Sequence, residues 1–377
     1  MSLGARHVAS LAEIGQAAWQ SLQPQPHVCL DWHFLAGLER CGCLHPRFGW
    51  TPSHLLLEHE GSLVGAAPCY LKTNSHGEFV FDQAWARAHA CAGLDYYPKL
   101  LCAVPYSPVT GPRLLDRGDP AIRRALLDAL RATVDAASLS SAHVNFHREP
   151  IEAPLWLPRF DWLFEWRNRG WHGFEDFLAA LTRKRRRGIE HDRRQVRQAD
   201  IRVRRLCGPA ITTEAIDAMH GFYLDTFHRK GNFPALTAGF FRHLQQQLAD
   251  RMLLVLAERQ GRCIAGALFL RDEDALYGRY WGSVEHWPGL HFELCYYQGI
   301  EFCIEHGIPR FEPGVQGEHK FLRGFLPVRT HSSHYLRDPR LRAAVAASLL
   351  EEARWLEQYR DGLMQHQPYR RSDQEQA

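Results

Sequence analysis

The fold is decided by two similar stretches, Leu55-Leu-Leu-Glu58-His-Glu-Gly61-Ser-Leu-Val-Gly65-Ala and Leu254-Val-Leu-Ala-Glu258-Arg-Gln-Gly261-Arg-Cys-Ile-Ala-Gly266-Ala. Each consists of an apolar run, a charged turn that contains glycine, and a second run with small residues near its start. This pattern is typical of a β-hairpin, in which two strands are joined by a short turn.

The order of the elements that follow indicates a duplication. After each hairpin the sequence predicts a helix and then a short strand that leads into a loop rich in proline and glycine. Two hairpins can look alike by chance, but the matching order favours a repeated domain. We therefore predict an α/β protein with mixed sheets (α+β) and two tandem domains, residues 1–165 and 166–365, followed by a polar tail at 366–377 that we expect to be frayed.

Helical spacing of apolar residues predicts several further elements. They include a helix within Val8–Leu22, one long helix over Phe174–Ala199 and a largely apolar helix over Phe292–His306. The last of these ends at Gly307 and precedes a short strand that starts at Arg310.

Composition excludes several classes of protein. The chain has 377 residues, 45 Lys+Arg against 42 Asp+Glu and a net charge of +3, too small to indicate a nucleic-acid binder by itself. Its longest apolar runs fall well short of the ~18 residues of a bilayer span. Met1–Leu22 lacks the apolar core of a signal peptide, and ten scattered cysteines are typical of reduced thiols. We expect a cytoplasmic, globular protein.

The densest group of polar residues lies between Arg310 and Pro327. It combines three glycines and two prolines with the ionisable residues Glu312, Glu318, His319, Lys320 and Arg323. Only five lysines occur in this arginine-rich chain, so the choice of an ammonium at position 320 is notable. Because loops at strand ends often carry function, we interpret this loop as the catalytic one; the alternative is a solvated polar turn.

A second pattern runs from Leu276 to Glu305. Glycines at 278 and 282 interrupt a strand, which indicates a bulge or the close approach of a ligand. The loop Trp287-Pro288-Gly289-Leu290 leads into a helix that offers unpaired N–H groups at its start, so the sequence predicts an anion site there. Ordinary packing of a strand against a helix is the alternative.

A third pattern is the basic run Thr182–Arg205, which holds ten arginines and Lys184. Such a run either binds phosphate groups of RNA, of a nucleotide or of a membrane surface, or forms a solvated helix face. The cysteines and histidines have no spacing typical of a metal site, so we expect no bound metal.

The chain resembles the FemAB-like family of peptidoglycan biosynthesis and recognition proteins, a branch of the GNAT acyltransferases. The resemblance rests on Arg310–Pro327, on Phe174–Arg194 with Thr182-Arg-Lys-Arg-Arg-Arg, and on Leu94-Asp-Tyr-Tyr-Pro-Lys99 with Pro105-Tyr-Ser-Pro-Val-Thr-Gly-Pro-Arg113. It implies two tandem GNAT domains.

The resemblance also implies where a donor binds. GNAT enzymes hold acyl-coenzyme A beside a bulged strand, here Tyr280–Glu285, with its phosphates at the following helix, here Gly289, Leu290 and His291. The glycine-rich loop of coenzyme A users is replaced by His286-Trp-Pro-Gly289-Leu-His291. Fem-type ligases instead use aminoacyl-tRNA and carry a lysine at the position of Lys320, so both donors stay open.

The chemistry of the residues suggests direct transfer of an acyl or aminoacyl group to an amine of a peptide or peptidoglycan precursor. Glu312 or Glu318, with His319 as a second candidate, would accept the proton of the amine. Lys320 or Arg323 would stabilise the oxyanion, and Tyr280 or Tyr335 would return a proton. The predicted substrate-binding residues are Gln316, Arg323, Trp281 and Tyr335.

Two alternatives remain at this point. The chain is either a transferase or a non-catalytic protein that recognises a peptide or cell-wall precursor, and Thr182–Arg205 either binds tRNA or does not. The N-terminal copy is expected to lack activity, because Val104–Arg113 has no cluster of acids and lysines. The oligomeric state stays open.

Overall fold

The computed structural model describes residues 3–315 and 317–370. The strands are β1 (Gly4–Val8), β2 (Trp50–Pro52), β3 (His54–His59), β4 (Ser62–Ala67), β5 (Cys69–Lys72), β6 (Lys99–Cys102), β7 (Ser141–His147), β8 (Leu157–Arg167), β9 (Arg202–Cys207), β10 (Met252–Arg259), β11 (Arg262–Arg271), β12 (Ala275–Ser283), β13 (Arg310–Glu312) and β14 (Leu326–Leu336). The α-helices are α1 (Gln16–Gln20), α2 (Trp32–Arg40), α3 (Gln83–Cys91), α4 (Pro120–Ala136), α5 (Phe174–Ala180), α6 (Arg183–Gln198), α7 (Thr213–Arg229), α8 (Ala238–Leu248), α9 (Leu290–Phe292), α10 (Gln298–Glu305) and α11 (Pro339–Met364).

The chain forms two compact units. Residues up to Trp162 and the segment Arg329–Gln358 make the first unit, and Leu163–Val328 with the residues from Tyr359 onward make the second. The chain thus leaves the first unit within β8 and returns to it within β14, so the units are not two consecutive segments.

The first unit contains two sheets. One has the order β1-β3-β4 and is antiparallel, and the other has the order β2-β5-β6-β7-β14. In the second sheet β6 and β7 run parallel. Helix α4 buries Leu126, Leu130 and Val134 against this unit's strands, as its helical spacing of leucines requires.

The second unit is built on one sheet with the order β8-β13-β12-β11-β10-β9, in which β12 and β13 run parallel. Its core contains side chains of the sheet, of α5 and α6, and of the helix from Leu290 to Glu305. That helix consists of α9, a π turn at Glu293–Tyr297, and α10. Helix α7 packs on β11 and β12.

The two predicted hairpins have the same local structure. Glu60 and Gly61 at one turn, and Gln260 and Gly261 at the other, all have positive φ between 50° and 76°, as a two-residue hairpin turn requires. Each hairpin also carries a bulge immediately before its glutamate, Glu58 or Glu258. The mixed α/β architecture predicted from the sequence is thus confirmed, and each unit contains one of the two predicted hairpins.

Two predicted helices are wrong in extent. Within Val8–Leu22 the chain forms only a 3₁₀ turn capped by Ser10 and then α1, because Ile14 and Gly15 are extended. The long helix over 174–199 breaks at Leu181, which is extended, fully buried and bridged to Tyr369. Tertiary packing here overrides helix propensity.

The sequence also missed strands β1, β2 and β9 and helix α8. In addition, Tyr369, which lies in the predicted polar tail, is buried and donates a hydrogen bond to Gly324 O. Residues 371–377 of that tail lie outside the described residues.

Candidate active site

Strands β12 and β13 pair only over three residues and then separate. Tyr277 is paired with Glu312, and Gly278 and Pro313 directly follow this pair, with Gly314 one residue further on. A Cβ at Gly278 would lie 3.1 Å from Pro313 O, so the strands part where glycine permits the closest approach. The register with β11 shifts at the same place and leaves Arg279 in a bulge, which confirms the bulge predicted for this strand.

Lys320 lies beside this point of divergence. It belongs to a 3₁₀ helix, Glu318–Arg323, and its Nζ donates a 2.6 Å hydrogen bond to Gly314 O. The residue is only 2% exposed, and no carboxylate of the described residues lies within ion-pair distance of it. Burial therefore lowers the pKa of Lys320 to about 8.

Aromatic and imidazole rings form a wall beside Lys320. His319 Nε2 lies 2.8 Å from the hydroxyl of Tyr296, and the rings of His319 and His291 are 6.1 Å apart. Trp281 of β12 contacts His291 edge-on at 5.1 Å. Burial, reinforced by nearby cations, lowers the pKa of His291 to about 4 and also lowers the pKa of His319. Both imidazoles are thus neutral near pH 7.

Arg323 is the last residue of the same 3₁₀ helix, and its guanidinium makes four contacts. Its guanidinium donates to Asp192 Oδ2 at 2.8 Å, to the Tyr297 hydroxyl at 2.9 Å and to His319 O at 3.0 Å. It also lies 3.3 Å from the ring centre of Phe292. These contacts tie the 3₁₀ helix to α6 and to the π turn that contains Tyr297.

The structure thus brings together five of the predicted site residues: His319, Lys320, Arg323, Trp281 and His291. The three neighbours that the sequence did not indicate are Tyr296, Tyr297 and Asp192. The two tyrosines lie in the π turn at Glu293–Tyr297, a feature that often occurs at functional sites.

Other predicted residues have different surroundings. Glu312 lies beside Arg310, which also pairs with Glu165 at 3.6 Å. Glu318 is exposed and accepts a hydrogen bond from Tyr359. Tyr280 packs on Tyr223 and Phe241, on the opposite face of β12 from Trp281.

Two further predicted residues are not part of the group. Tyr335 belongs to the first unit, where it is buried in the core and donates to Asp135 at 2.9 Å. Gln316 lies outside the described residues.

The predicted phosphate site at the start of α9 has a different character. Gly289 has φ +79° and presses against α6, since a Cβ there would lie 2.5 Å from Asp192 O. The N–H of Leu290 donates to Trp287 O, so the chain itself satisfies this donor. The sequence predicts that Gly282 marks a bulge or the approach of a ligand. This glycine instead makes room for helix α7, because a Cβ at position 282 would lie 2.1 Å from Phe222 O.

The basic run is divided between two faces of α6. On the inner face Arg193 pairs with Glu293 and Glu301, at 3.2 and 2.7 Å. The outer face carries exposed cationic side chains for which the described residues provide no ion pair: Arg183, Lys184, Arg187, Arg194 and Arg197. They recur at helical spacing and form a basic stripe.

In the first unit, the chain itself fills the corresponding cleft. Strands β6 and β7 are parallel over Leu100–Cys102 and then separate, as β12 and β13 do. The loop after β6 returns into the gap, where the N–H of Gly111 donates to Phe146 O at 3.0 Å. Arg113, buried in the same loop, donates to Pro112 O.

No group of three or more His, Cys, Asp or Glu side chains within 3–315 and 317–370 could hold a metal ion. None of the helices in the described part of the chain is both long and apolar enough to cross a bilayer.

This fold, with its divergent parallel strands, defines a protein of duplicated GNAT-like architecture. The chain belongs to the FemAB-like family, described as peptidoglycan biosynthesis/recognition, whose family model matches residues 10–371. The resemblance inferred from the sequence is thus confirmed. A comparison with curated proteins gave no match.

Three solved structures share the fold. FemX is 12% identical, with a TM-score of 0.50 over 91% of this chain and 100% of FemX. The C-terminal domain of a protein described as a lysylphosphatidylglycerol synthetase, from Agrobacterium fabrum, is 10% identical, with a TM-score of 0.51 over 92% and 98%. A protein of unknown function from Bacteroides thetaiotaomicron is 9% identical, with a TM-score of 0.51 over 88% and 99%.

Proposed function

We propose that this protein is an aminoacyltransferase that moves an aminoacyl group from a tRNA ester to an amine of a peptidoglycan precursor or another peptide. The observation that carries the proposal is Lys320, a buried ammonium without a carboxylate partner at the point where β12 and β13 separate. A buried cation with spare N–H donors is suited to a developing oxyanion. Membership of the family supports the choice of a cell-wall acceptor.

Two features favour aminoacyl-tRNA over acyl-coenzyme A as the donor. The start of α9 has no glycine-rich loop, and its Leu290 N–H is already bonded to Trp287 O, which leaves a poor site for a pyrophosphate. The basic stripe on α6 offers cationic side chains to the phosphates of an RNA. Use of charged tRNA would also place the protein in the cytoplasm.

The reaction follows from the groups beside Lys320. The acceptor nitrogen attacks the ester carbonyl carbon, and the Lys320 ammonium stabilises the resulting oxyanion. Neutral His319, whose Nε2 is aligned by Tyr296, accepts the proton from the attacking nitrogen. The C–O bond to the ribose then breaks, and the leaving hydroxyl takes a proton from Lys320. Proton transfer from His319 to Lys320 restores both groups.

This assignment replaces a glutamate base with His319. Glu312 lies against the Arg310 guanidinium, and Glu318 is exposed and bonded to Tyr359. His319 directly precedes Lys320, and its imidazole belongs to the ring wall beside that lysine.

Replacement of Lys320 tests the proposal. The purified protein is incubated with aminoacyl-tRNA and a peptidoglycan-precursor peptide, and formation of the amide is followed by mass spectrometry. We expect Lys320→Ala to lower turnover at least about a hundredfold, because one oxyanion donor contributes roughly that much. Leu322→Ala is the matched control, since Leu322 is an exposed side chain of the same helix.

The outcomes separate the alternatives. Full activity of Lys320→Ala would overturn the site. Amide formation with acetyl-coenzyme A instead of aminoacyl-tRNA would identify the other donor. Binding of the precursor without transfer from either donor would indicate a recognition protein.

A further inference from the structure

A cavity of about 180 Å³ lies at the end of β12, next to the start of α9. It is smaller than the ~300 Å³ or more of a typical drug-sized pocket, so it suits a single ring system. Its lining consists of aromatic and imidazole rings with three polar side chains: Trp281, Trp287, His286, His291, Arg229, Ser283 and Glu285, together with Leu290.

The charged groups of this cavity already have partners. Arg229 pairs with Asp225 at 2.6 Å and donates to Ser283 O. Glu285 accepts a 2.8 Å hydrogen bond from the Trp287 indole. His291 is neutral, because burial lowers its pKa to about 4. Flat, largely uncharged walls favour a planar heterocycle over a phosphate group.

The position of the cavity relative to Lys320 restricts the ligand. Lys320 is bonded to Gly314 O, opposite Gly278, and Trp281 stands three residues further along β12. At about 3.3 Å per residue, Trp281 is attached no more than about 10 Å from Gly278 along the strand. Trp281 and His291 also belong to the ring wall beside Lys320, so a base in the cavity lies close to an acyl group held at that lysine.

We propose that this cavity binds the terminal adenine of the donor, with Trp281 as the stacking surface. The inference rests on the proposed function and extends it, because it assigns the site that recognises the donor nucleoside. Both aminoacyl-tRNA and coenzyme A carry an adenosine. In aminoacyl-tRNA the acyl group is esterified directly to the ribose, so the base and the acyl carbon are close together, whereas in coenzyme A a pyrophosphate and the pantetheine arm intervene.

Binding of small ligands to the whole chain tests the inference without any turnover. Adenosine 5′-monophosphate, uridine 5′-monophosphate and coenzyme A are titrated separately, with detection by ligand-observed NMR. We expect the adenosine nucleotide to bind more tightly than the uridine nucleotide. Trp281→Ala should weaken it about tenfold or more, the loss typical of one stacked base, and Trp281→Phe should retain most of the affinity.

A matched control and a second readout keep the test decisive. Trp355→Leu removes an exposed indole of the first unit and should leave binding unchanged. Thermal melting shows whether Trp281→Ala is folded, and if it is not, His291→Gln and Trp281→Phe are compared instead. Equal binding of both nucleotides, or adenosine binding indifferent to position 281, would overturn the inference.

The possible outcomes also separate this inference from the proposed function. Adenine binding at Trp281 without transfer of an aminoacyl group would sustain the cavity assignment and contradict the transferase. Transfer without adenine binding at Trp281 would support the transferase and contradict the cavity assignment. Coenzyme A that binds at least as tightly as the adenosine monophosphate, and loses affinity in Trp281→Ala, would make coenzyme A the source of the adenine.

Discussion

Asp192 anchors the 3₁₀ helix that carries Lys320. Its Oδ2 accepts hydrogen bonds from the Tyr297 hydroxyl at 2.5 Å and from Arg323 at 2.8 Å. Arg323 in turn holds His319 O, so one carboxylate on α6 aligns the 3₁₀ helix that carries both proposed catalytic groups. In Asp192→Asn we expect kcat to fall about tenfold to a hundredfold, as for a small misplacement of a catalytic group.

Measurements of kcat, KM and the pH profile of Asp192→Asn check this expectation. KM should change little, and the limb of the profile that reports Lys320 should move above about 8 as water reaches the loosened ammonium. Glu190→Gln is the control, because Glu190 lies on the same helix and has only a long 3.9 Å pair with Arg186. A lower melting temperature with unchanged kcat and pH profile would reduce Asp192 to a structural role.

At the scale of elements, helix α6 connects the surface to the site. Its inner face holds Arg323 and the start of α9, and its outer face carries the basic stripe. If the stripe binds tRNA, the affinity should fall steeply between 50 and 200 mM salt, because each phosphate contact releases about one counterion. The double variant Arg187→Gln/Arg194→Gln should reduce the slope of log K against log salt by about 2.

Filter binding of tRNA over a salt series measures this slope. Arg117→Gln/Arg124→Gln, which removes two exposed arginines of the first unit, is the control for a change in net charge alone. Equal slopes for the two double variants would exclude the stripe as the tRNA contact.

Elements with strong local patterns could be predicted from the sequence. The two hairpins depend on turns with positive φ and on alternating apolar residues, both of which are visible in a short window. The break at Leu181 could not be foreseen, because it depends on packing against Tyr369, 188 positions away along the chain. Local propensity favours continuing the helix, and a distant contact decides against it.

The site shows the same contrast between residues marked by local sequence and residues placed by distant contacts. Lys320 and His319 stand in a loop whose composition was unusual, so the sequence singled them out. The residues that align them, Asp192 and Tyr296, lie in a basic run and in an apolar helix, where neither stands out. Tyr297 and Asp192 are 105 positions apart, and only the fold reveals such a partner.

At the scale of the whole molecule, both units bury a neutral imidazole. In the first unit His147 donates to Glu149 O and contacts Ser333 Oγ at 3.1 Å, and in the second His291 contacts Trp281 and Tyr296. Burial lowers the pKa of each from 6.5 to about 4. Protonating each in the folded state therefore costs about 3 kcal/mol more than in the unfolded state.

This difference sets the direction of the pH dependence. Between about pH 4 and 6.5 the unfolded chain binds more protons at these positions than the folded chain, so stability is fully present above 6.5 and is lost as the pH falls toward 4. We expect the melting temperature to fall through this window, and to fall less in His147→Gln, whose amide keeps hydrogen bonding without gaining a charge. His172→Gln, at an exposed position, should retain the wild-type dependence. Because carboxylates titrate alike in all three proteins, identical pH dependence of the His147 variant and the wild type would show that this imidazole does not contribute to the acid sensitivity.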